Sequence, residues 1–194
     1  MTRRAIILTW PDHLAAPELL AWLTVTARFR WDDIEFNREG GRDVCVAYNA
    51  AIKCGIESGA DELWIIDRDT RPHPVATSPI LTSALDVACC KSPREGAHAF
   101  AHPGDFHAGL FRLRRSVALA IGLPAFYWPT TADGATLTGC CCAPFADKAR
   151  KLGFSVGWAG EAGHVPARND GLVSRYHCGL YAPEFTTQPL VRTT

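Results

Sequence analysis

Two aspartates separated by one residue, Asp67 and Asp69, are the side chains in this sequence best suited to chemistry. They follow residues 63–66, a short apolar run that is typical of a buried strand in a sheet covered on both faces. Open α/β sheets bind ligands beyond the carboxyl ends of their strands. Two carboxylates there predict a site for Mg²⁺ or Mn²⁺, which would also take phosphate oxygens. A strand followed by an ordinary polar turn is the alternative interpretation.

The elements that would position these carboxylates alternate between strands and helices. Residues 5–8 predict a first strand, and the loop after it, with Thr9 and Pro11, lies where a nucleotide could rest. A helix follows, with Pro17 in its first turn and an apolar stripe at helical spacing. The order strand, helix, strand is typical of an α/β domain.

A second predicted helix, over residues 42–58, carries two candidate ligand-binding side chains. Arg42 opens it, and Asn49 lies two turns along on the same face. A basic residue in the first turn opposes the helix dipole, so Arg42 indicates an anionic partner such as a diphosphate. A solvated surface arginine is the alternative. The core face of this helix consists of Val44, Ala47, Tyr48, Ala51 and Cys54.

The second half of the chain predicts further elements of the same domain. Strands are expected over residues 86–91, 109–113 and 154–158, and helices from Ser78–Pro79 and over residues 114–121 and 144–152. A glycine-flanked loop over residues 160–166 presents His164, and residues 167–194 are expected to be mobile. We therefore predict one α/β domain spanning residues 1–194.

Composition and charge exclude several classes of protein. The 194 residues, 47% of them hydrophobic, are enough for one globular domain with its own core. A net charge of +0 argues against coating nucleic acid or membrane by bulk charge. Residues 89–115 are an exception, with five basic and two acidic side chains that could follow a nucleic-acid backbone. No apolar run reaches about 18 residues, so no membrane span is expected.

The eight cysteines and the clustered histidines have ordinary interpretations. The cysteines lack zinc-ligand spacing and predict buried, reduced thiols in a cytosolic protein. A zinc site built from Cys140, Cys142 and Cys178 is the alternative. The loop over residues 92–107 holds His98, His102 and His107, which could bind metal or lie on the surface. The predicted location is the cytoplasm, or the host cytoplasm for a viral protein.

Four motifs, taken in order, give the chain between about residues 40 and 166 a resemblance to the GT-A glycosyltransferases, chiefly the family-two-like members. The helix from Arg42 to Asn49 precedes the central strand, and Asp67-Arg68-Asp69 follows it as the metal-binding Asp-x-Asp. Residues 109–126 resemble a third family segment, and His164 in Gly-His-Val-Pro occupies the place of a family metal ligand. Small single-domain members include phage-type enzymes.

The resemblance implies a Rossmann-like mixed sheet flanked by helices and a metal-dependent transfer from a nucleotide-sugar donor to an acceptor hydroxyl. It implies that Asp69, Asp67 and His164 hold Mn²⁺ or Mg²⁺, with Asp67 nearer the ribose. The predicted donor-binding set is Thr9, Pro11, Arg42, Asn49, Asp67, Arg68 and Arg168. The acceptor could be a glycan, a metabolite, a protein or a modified base in DNA.

Two departures from the family pattern bear on the prediction. The region before Arg42 is short, and a second strand is not expected there. The acidic pair that supplies the family's base should fall near residues 137–140, where no carboxylate occurs. Asp133 is the best substitute base and Asp105 the next. A nucleotidyltransferase is a rival prediction, but the loop after the first strand lacks its glycines. A non-catalytic nucleotide- or carbohydrate-binding module is the other.

Overall fold

The computed structural model describes residues 2–9, 17–26, 33–36, 44–67, 70–91 and 106–164. Its strands are β1 (Arg4–Thr9), β2 (Asp33–Phe36), β3 (Glu62–Asp67), β4 (Thr70–Pro72), β5 (Val87–Lys91), β6 (Leu110–Arg114) and β7 (Val156–His164). Its helices are α1 (Pro17–Val25), α2 (Val44–Ser58), α3 (Pro79–Thr82), α4 (Arg115–Ile121) and α5 (Cys142–Lys151).

The strands form one mixed sheet in the order β2-β1-β3-β6-β5-β7-β4. β1 runs parallel to both β2 and β3, whereas β6 lies antiparallel between β3 and β5. β7 is parallel to β5, and β4 pairs antiparallel with β7. Leu63 to Asp67 are all buried between β1 and β6. The predictions of an α/β mixed sheet flanked by helices and of an interior strand at residues 63–66 are confirmed.

Helices cover both faces of the sheet because successive strand residues point to opposite sides. One core joins Leu63 and Ile65 of β3 to residues of α2, α4 and α5, among them Tyr48 and Phe145. The other core joins Trp64 and Ile66 to residues of α1 and α3. Asp67 follows Leu63 and Ile65 at every second position, so its side chain lies on the same side of the sheet, facing α2.

A second strand before residue 42 corrects one expectation from the sequence. β2 pairs in parallel with β1 over Asp33 to Phe36. Four residues with no continuous apolar run give a weak strand signal, so its neighbours in space rather than its own sequence identify it.

The last strand is longer than predicted and replaces the expected loop at residues 160–164. β7 continues to His164 and pairs with both β5 and β4. Its register against β5 shifts between Cys89 and Lys91, close to Gly160, which has a φ of 110°. A Cβ on Gly160 would lie 2.6 Å from the carbonyl oxygen of Ala76. The glycine therefore marks a bulge inside a strand, not the end of one.

Candidate functional site

The candidate site begins at the edge of the sheet where β1 and β3 end together. Thr9 is in register with Asp67, and both are the last residues of their strands. The backbone N–H of Asp67 donates to the carbonyl of Gly109, just before β6, at 2.9 Å. β1 on one side and Gly109 on the other therefore hold the Asp67 backbone, and its side chain leaves the sheet at the carboxyl end of β3.

The Asp67 carboxylate is buried but well supplied with donors. Its side chain is 0% exposed. The hydroxyl of Thr9 donates to Oδ1, and the hydroxyl of Tyr48 donates to Oδ2 at 2.8 Å. Charge-assisted hydrogen bonds of this kind offset the loss of water around a carboxylate and fix its orientation. Asp67 is therefore held in one geometry by two other elements, β1 and α2.

Tyr48, which the sequence predicts only as a core residue, also contributes to the candidate site. Its ring does pack there, with centroids 5.9 Å from Phe111 and 5.0 Å from Phe126. Its hydroxyl, however, reaches the sheet edge and binds Asp67. The contact could have been inferred from chemistry, because a buried tyrosine hydroxyl needs a hydrogen-bond partner and a buried aspartate needs a donor.

Thr9, one of the predicted donor-binding residues, contacts Asp67 in the structure. Its side chain is 0% exposed, and its hydroxyl lies against Asp67 and the carbonyl of Ile66. A hydroxyl has one hydrogen to donate, and here Asp67 is in position to receive it. Thr9 therefore orients the Asp67 carboxylate, and its contact with a donor molecule stays a prediction.

The carbonyl of Gly109 accepts hydrogen bonds from both Asp67 and Thr70. Gly109 accepts from the Asp67 backbone N–H at 2.9 Å and from the Thr70 hydroxyl at 3.0 Å. Thr70 directly follows Asp69 in the sequence and pairs across the strands with His164. The backbone of His164 is thus brought beside Thr70, although the two are 94 positions apart in the sequence. The side chain of His164 lies outside the described residues, as does Asp69.

His107 is a buried residue that binds the backbone of Gly109. It is 4% exposed, and its Nδ1 accepts from the backbone N–H of Gly109 at 3.1 Å. The expected surface position is therefore incorrect for His107. His98 and His102 lie outside the described residues.

Asn49, another predicted donor-binding residue, makes hydrogen bonds to the chain after α4. Its Oδ1 accepts from the backbone N–H groups of Ala125 and Phe126, at 2.8 and 2.9 Å. Its Nδ2 donates to the carbonyl of Phe126 at 2.8 Å. These bonds use three of the four hydrogen-bonding positions of an amide. Asn49 therefore links residues 125–126, which follow α4, to α2 by hydrogen bonds.

Asp133, the first candidate for the catalytic base, lies on an exposed turn. Thr130 and Leu137 form an isolated antiparallel bridge around it. Its carboxylate accepts from the Thr131 hydroxyl and, at 3.0 Å, from the backbone N–H of Ala135. The bond from Thr131, followed by that from Ala135, lowers the pKa of Asp133. A carboxylate with a lowered pKa stays ionised at neutral pH but is a weaker base.

The remaining predicted site residues lie outside the described residues: Pro11, Arg42, Arg68, Asp69, Asp105 and Arg168. Cys178 of the alternative zinc site also lies outside them. Among the described residues, no helix is long and apolar enough to cross a membrane.

Comparisons with known proteins were made by sequence and by structure. No protein-family model matches the sequence, and no curated protein matches it. Among solved structures, the catalytic domain of Drosophila beta1,4-galactosyltransferase 7, in complex with xylobiose, is similar. It is 16% identical, with a TM-score of 0.55, over 87% of this chain and 72% of that chain.

Two further solved structures share the same architecture. A variant of the Drosophila enzyme in complex with manganese, UDP-Gal and xylobiose is 16% identical, covering 100% of this chain and 82% of that chain with a TM-score of 0.51. A197 from STIV is 14% identical, covering 84% and 81% of the two chains with a TM-score of 0.52. At these identities the likeness concerns the fold, and it confirms the predicted GT-A-like fold.

Proposed function

We propose that this chain is a metal-dependent glycosyltransferase that moves a sugar from a nucleotide-sugar donor to an acceptor hydroxyl. The observation that carries the proposal is the buried Asp67 carboxylate, held by Thr9 and Tyr48 at the carboxyl end of β3. This is the edge at which open α/β sheets bind ligands. Support also comes from the fold, since a structure of the same architecture was solved with manganese and UDP-Gal.

The donor atoms available near this edge suit a hard divalent cation. Carboxylate oxygens fit Mg²⁺ and Mn²⁺, and an imidazole is compatible with Mn²⁺. Asp67, Asp69 and His164 would hold the ion, and the pairing of Thr70 with His164 supports their convergence. Such an ion, when bound, neutralises charge that develops on a departing diphosphate. Arg42, Arg68 and Arg168 are the proposed cationic contacts to the donor.

The acceptor hydroxyl needs a base within hydrogen-bond reach. Asp133 and Asp105 are the proposed candidates, as the residues near 137–140 carry no carboxylate. Asp133 is available in its ionised form, though the hydrogen bond from Thr131 weakens it as a base. A glycan, a metabolite, a protein and a modified DNA base all remain acceptor classes to test.

A thermal-shift screen with nucleoside diphosphates and sugar nucleotides, with and without Mn²⁺, tests the proposal. A donor at 100 times its Kd stabilises the folded state by about 2.7 kcal/mol, which raises Tm by about 5–11 °C for a chain of this size. Asp67→Asn should abolish the Mn²⁺-dependent part of the shift. Asp147→Asn is the matched control, because Asp147 is exposed on α5 and its carboxylate lies 3.5 Å from Arg150.

Turnover then separates an enzyme from a binding module. The Mn²⁺-dependent hydrolysis of the stabilising sugar nucleotide should be measurable and should be lost in Asp67→Asn. If no diphosphate nucleotide stabilises the chain in the presence of Mn²⁺, the proposed function is incorrect. Binding without hydrolysis or transfer would identify a non-catalytic module, and pyrophosphate release from a nucleoside triphosphate would identify a nucleotidyltransferase.

A further inference from the structure

Three consecutive cysteines, Cys140, Cys141 and Cys142, converge where α5 begins. Their Sγ atoms all lie within 4.8 Å of one another. None of the three side chains is more than 1% exposed. The backbone turns at Cys141, the residue before the helix, with φ −61° and ψ −18°, and the N–H of Cys142 donates to Sγ of Cys140 at 3.4 Å. The local backbone, not a disulfide, brings the thiols together.

Adjacent cysteines elsewhere in the protein do not converge. Cys89 and Cys90 are consecutive and buried on β5, but one belongs to each core, on opposite faces of the sheet. Burial raises the pKa of the Cys90 thiol, as expected for a thiol in apolar surroundings. The arrangement at residues 140–142 therefore reflects the turn into α5 and is not a general property of neighbouring cysteines.

We propose that Cys140, Cys141 and Cys142 form a three-thiol site for a trivalent, thiophilic metalloid, for which arsenite is the probe. Three sulfur atoms that bind one ion through bonds of about 2.3 Å all lie within about 4.0 Å of one another, even in a planar arrangement. The Sγ atoms here lie within 4.8 Å of one another, so binding draws them together by up to on the order of 1 Å. Among the described residues the cluster has three ligand atoms, one fewer than structural Zn²⁺ sites use.

Charge decides which soft ion suits the site. Three thiolates around Zn²⁺ or Cu⁺ would leave one or two negative charges uncompensated. The cysteines belong to an apolar core that also contains Phe126 and Phe145, where an uncompensated charge is costly. A trivalent centre gives a neutral complex. The site therefore favours a metalloid in the +3 state over the commoner divalent and monovalent metals.

The binding step balances without an oxidant or a reductant. Arsenite enters as As(OH)₃, three As–O bonds break, and three As–S bonds form. The three thiol hydrogens leave with the three hydroxide groups as three water molecules. Arsenic and sulfur keep their oxidation states, and no buried thiolate has to persist without its partner. Residues 135–138 are exposed and are separated from the cluster by one buried residue, Gly139.

Native mass spectrometry of the reduced, full-length protein with sodium arsenite tests the site. We expect one arsenic atom per chain and a mass that shows the loss of three hydrogens. Cys142→Ala should lower the affinity more than about 100-fold, since even the loss of a residue that only hydrogen-bonds a metal ligand costs about 10–100-fold. The double variant Cys89→Ala/Cys90→Ala is the matched control and should bind as the unaltered chain does.

Finding which proteolytic fragment carries the arsenic tests the proposal even if Cys142→Ala does not fold. Tryptic cleavage after Arg115 and Lys148 releases residues 116–148, which contain these three cysteines and no other. The arsenic should be found on that fragment of the unaltered chain. An adduct that has lost only two hydrogens, arsenic on another fragment, or tighter binding of Zn²⁺ than of arsenite would each overturn the proposal.

Discussion

Removing the Tyr48 hydroxyl is the most direct test of how the candidate site is built. Tyr48→Phe keeps the ring and its contacts with Phe111 and Phe126 but deletes the donor to Oδ2 of Asp67. The carboxylate is 0% exposed, so water does not readily replace the lost donor. The variant therefore isolates one hydrogen bond between α2 and β3.

The expected cost follows from the charge on the acceptor. A hydrogen bond to a charged group contributes about 1.5–3 kcal/mol to the free energy of unfolding. For a chain of this size that corresponds to a fall in Tm of about 3–12 °C. Urea denaturation at neutral pH measures the free energy directly. Tyr127→Phe is the matched control, because Tyr127 is 50% exposed and its hydroxyl loss should change stability by no more than about 0.5 kcal/mol.

A double-mutant cycle distinguishes the hydrogen bond from a general effect on the core. Tyr48→Phe and Asp67→Asn, separately and together, should show a coupling of about 1–3 kcal/mol. If the two effects add within about 0.5 kcal/mol, the hydroxyl does not support the carboxylate, and the reasoning fails.

A positioning role also predicts an effect on ligand binding that a purely structural role would not produce. Tyr48→Phe should weaken Mn²⁺-dependent donor binding by about 10–100-fold, as the loss of outer-shell partners does at metal sites. Isothermal titration below the Tm of the variant measures this loss. Unchanged donor affinity in a folded variant would show that Tyr48 contributes only to stability.

Three further predictions test other parts of the molecule. Asp133→Asn should lower kcat by about 10²–10⁴ and leave donor affinity unchanged, whereas a change within about threefold in steady-state kinetics would make Asp133 a turn residue only. Gly160→Ala should cost at least about 1–3 kcal/mol in urea denaturation, because φ is 110° and the new Cβ meets the Ala76 carbonyl; Gly157→Ala, which meets only a Leu85 methyl at 3.4 Å, is its control. Hydrogen bonds from Ser155 lower the pKa of Asp86 from 3.8, so its stabilisation is complete above that pH and is lost on acidification. Asp86→Asn should therefore be less stable than the unaltered chain at pH 7 and equally stable well below pH 3.8.

Elements with a strong local pattern could be predicted from the sequence. The apolar run at residues 63–66 identifies β3, and the periodic stripe containing Tyr48 identifies α2. β2 could not be predicted, because its four residues gain their strand identity from pairing with β1. The strand predicted at residues 154–158 ended too early, because Gly160 was interpreted as a loop residue. A glycine required by close backbone approach looks the same in sequence as a glycine in a turn.

In the candidate site, too, features set by neighbouring residues in the sequence could be predicted, and contacts between distant residues could not. Asp67 could be placed at the end of a strand, since a strand and its last residue are adjacent in sequence. Its partners could not, because Thr9 and Tyr48 reach it only through the pairing of β1 with β3 and the docking of α2. The hydrogen-bond partners of Asn49 could not be predicted for the same reason, because they lie near Phe126 on a segment that is distant in sequence.

Burial of Asp67 is itself an argument for a role beyond stability. A buried carboxylate loses its hydration, and well-packed apolar residues often replace buried charged groups with no loss of stability. Here Thr9 and Tyr48 both direct hydroxyls at one carboxylate, at the edge where open α/β sheets bind ligands, and the backbone of His164 pairs with Thr70 nearby. A purely structural role predicts that Asp67→Asn loses stability but keeps its donor binding. A ligand-binding role predicts that the same variant loses Mn²⁺-dependent donor binding even where its stability is equal to or above that of the unaltered chain. Measuring both quantities on Asp67→Asn therefore separates the two explanations.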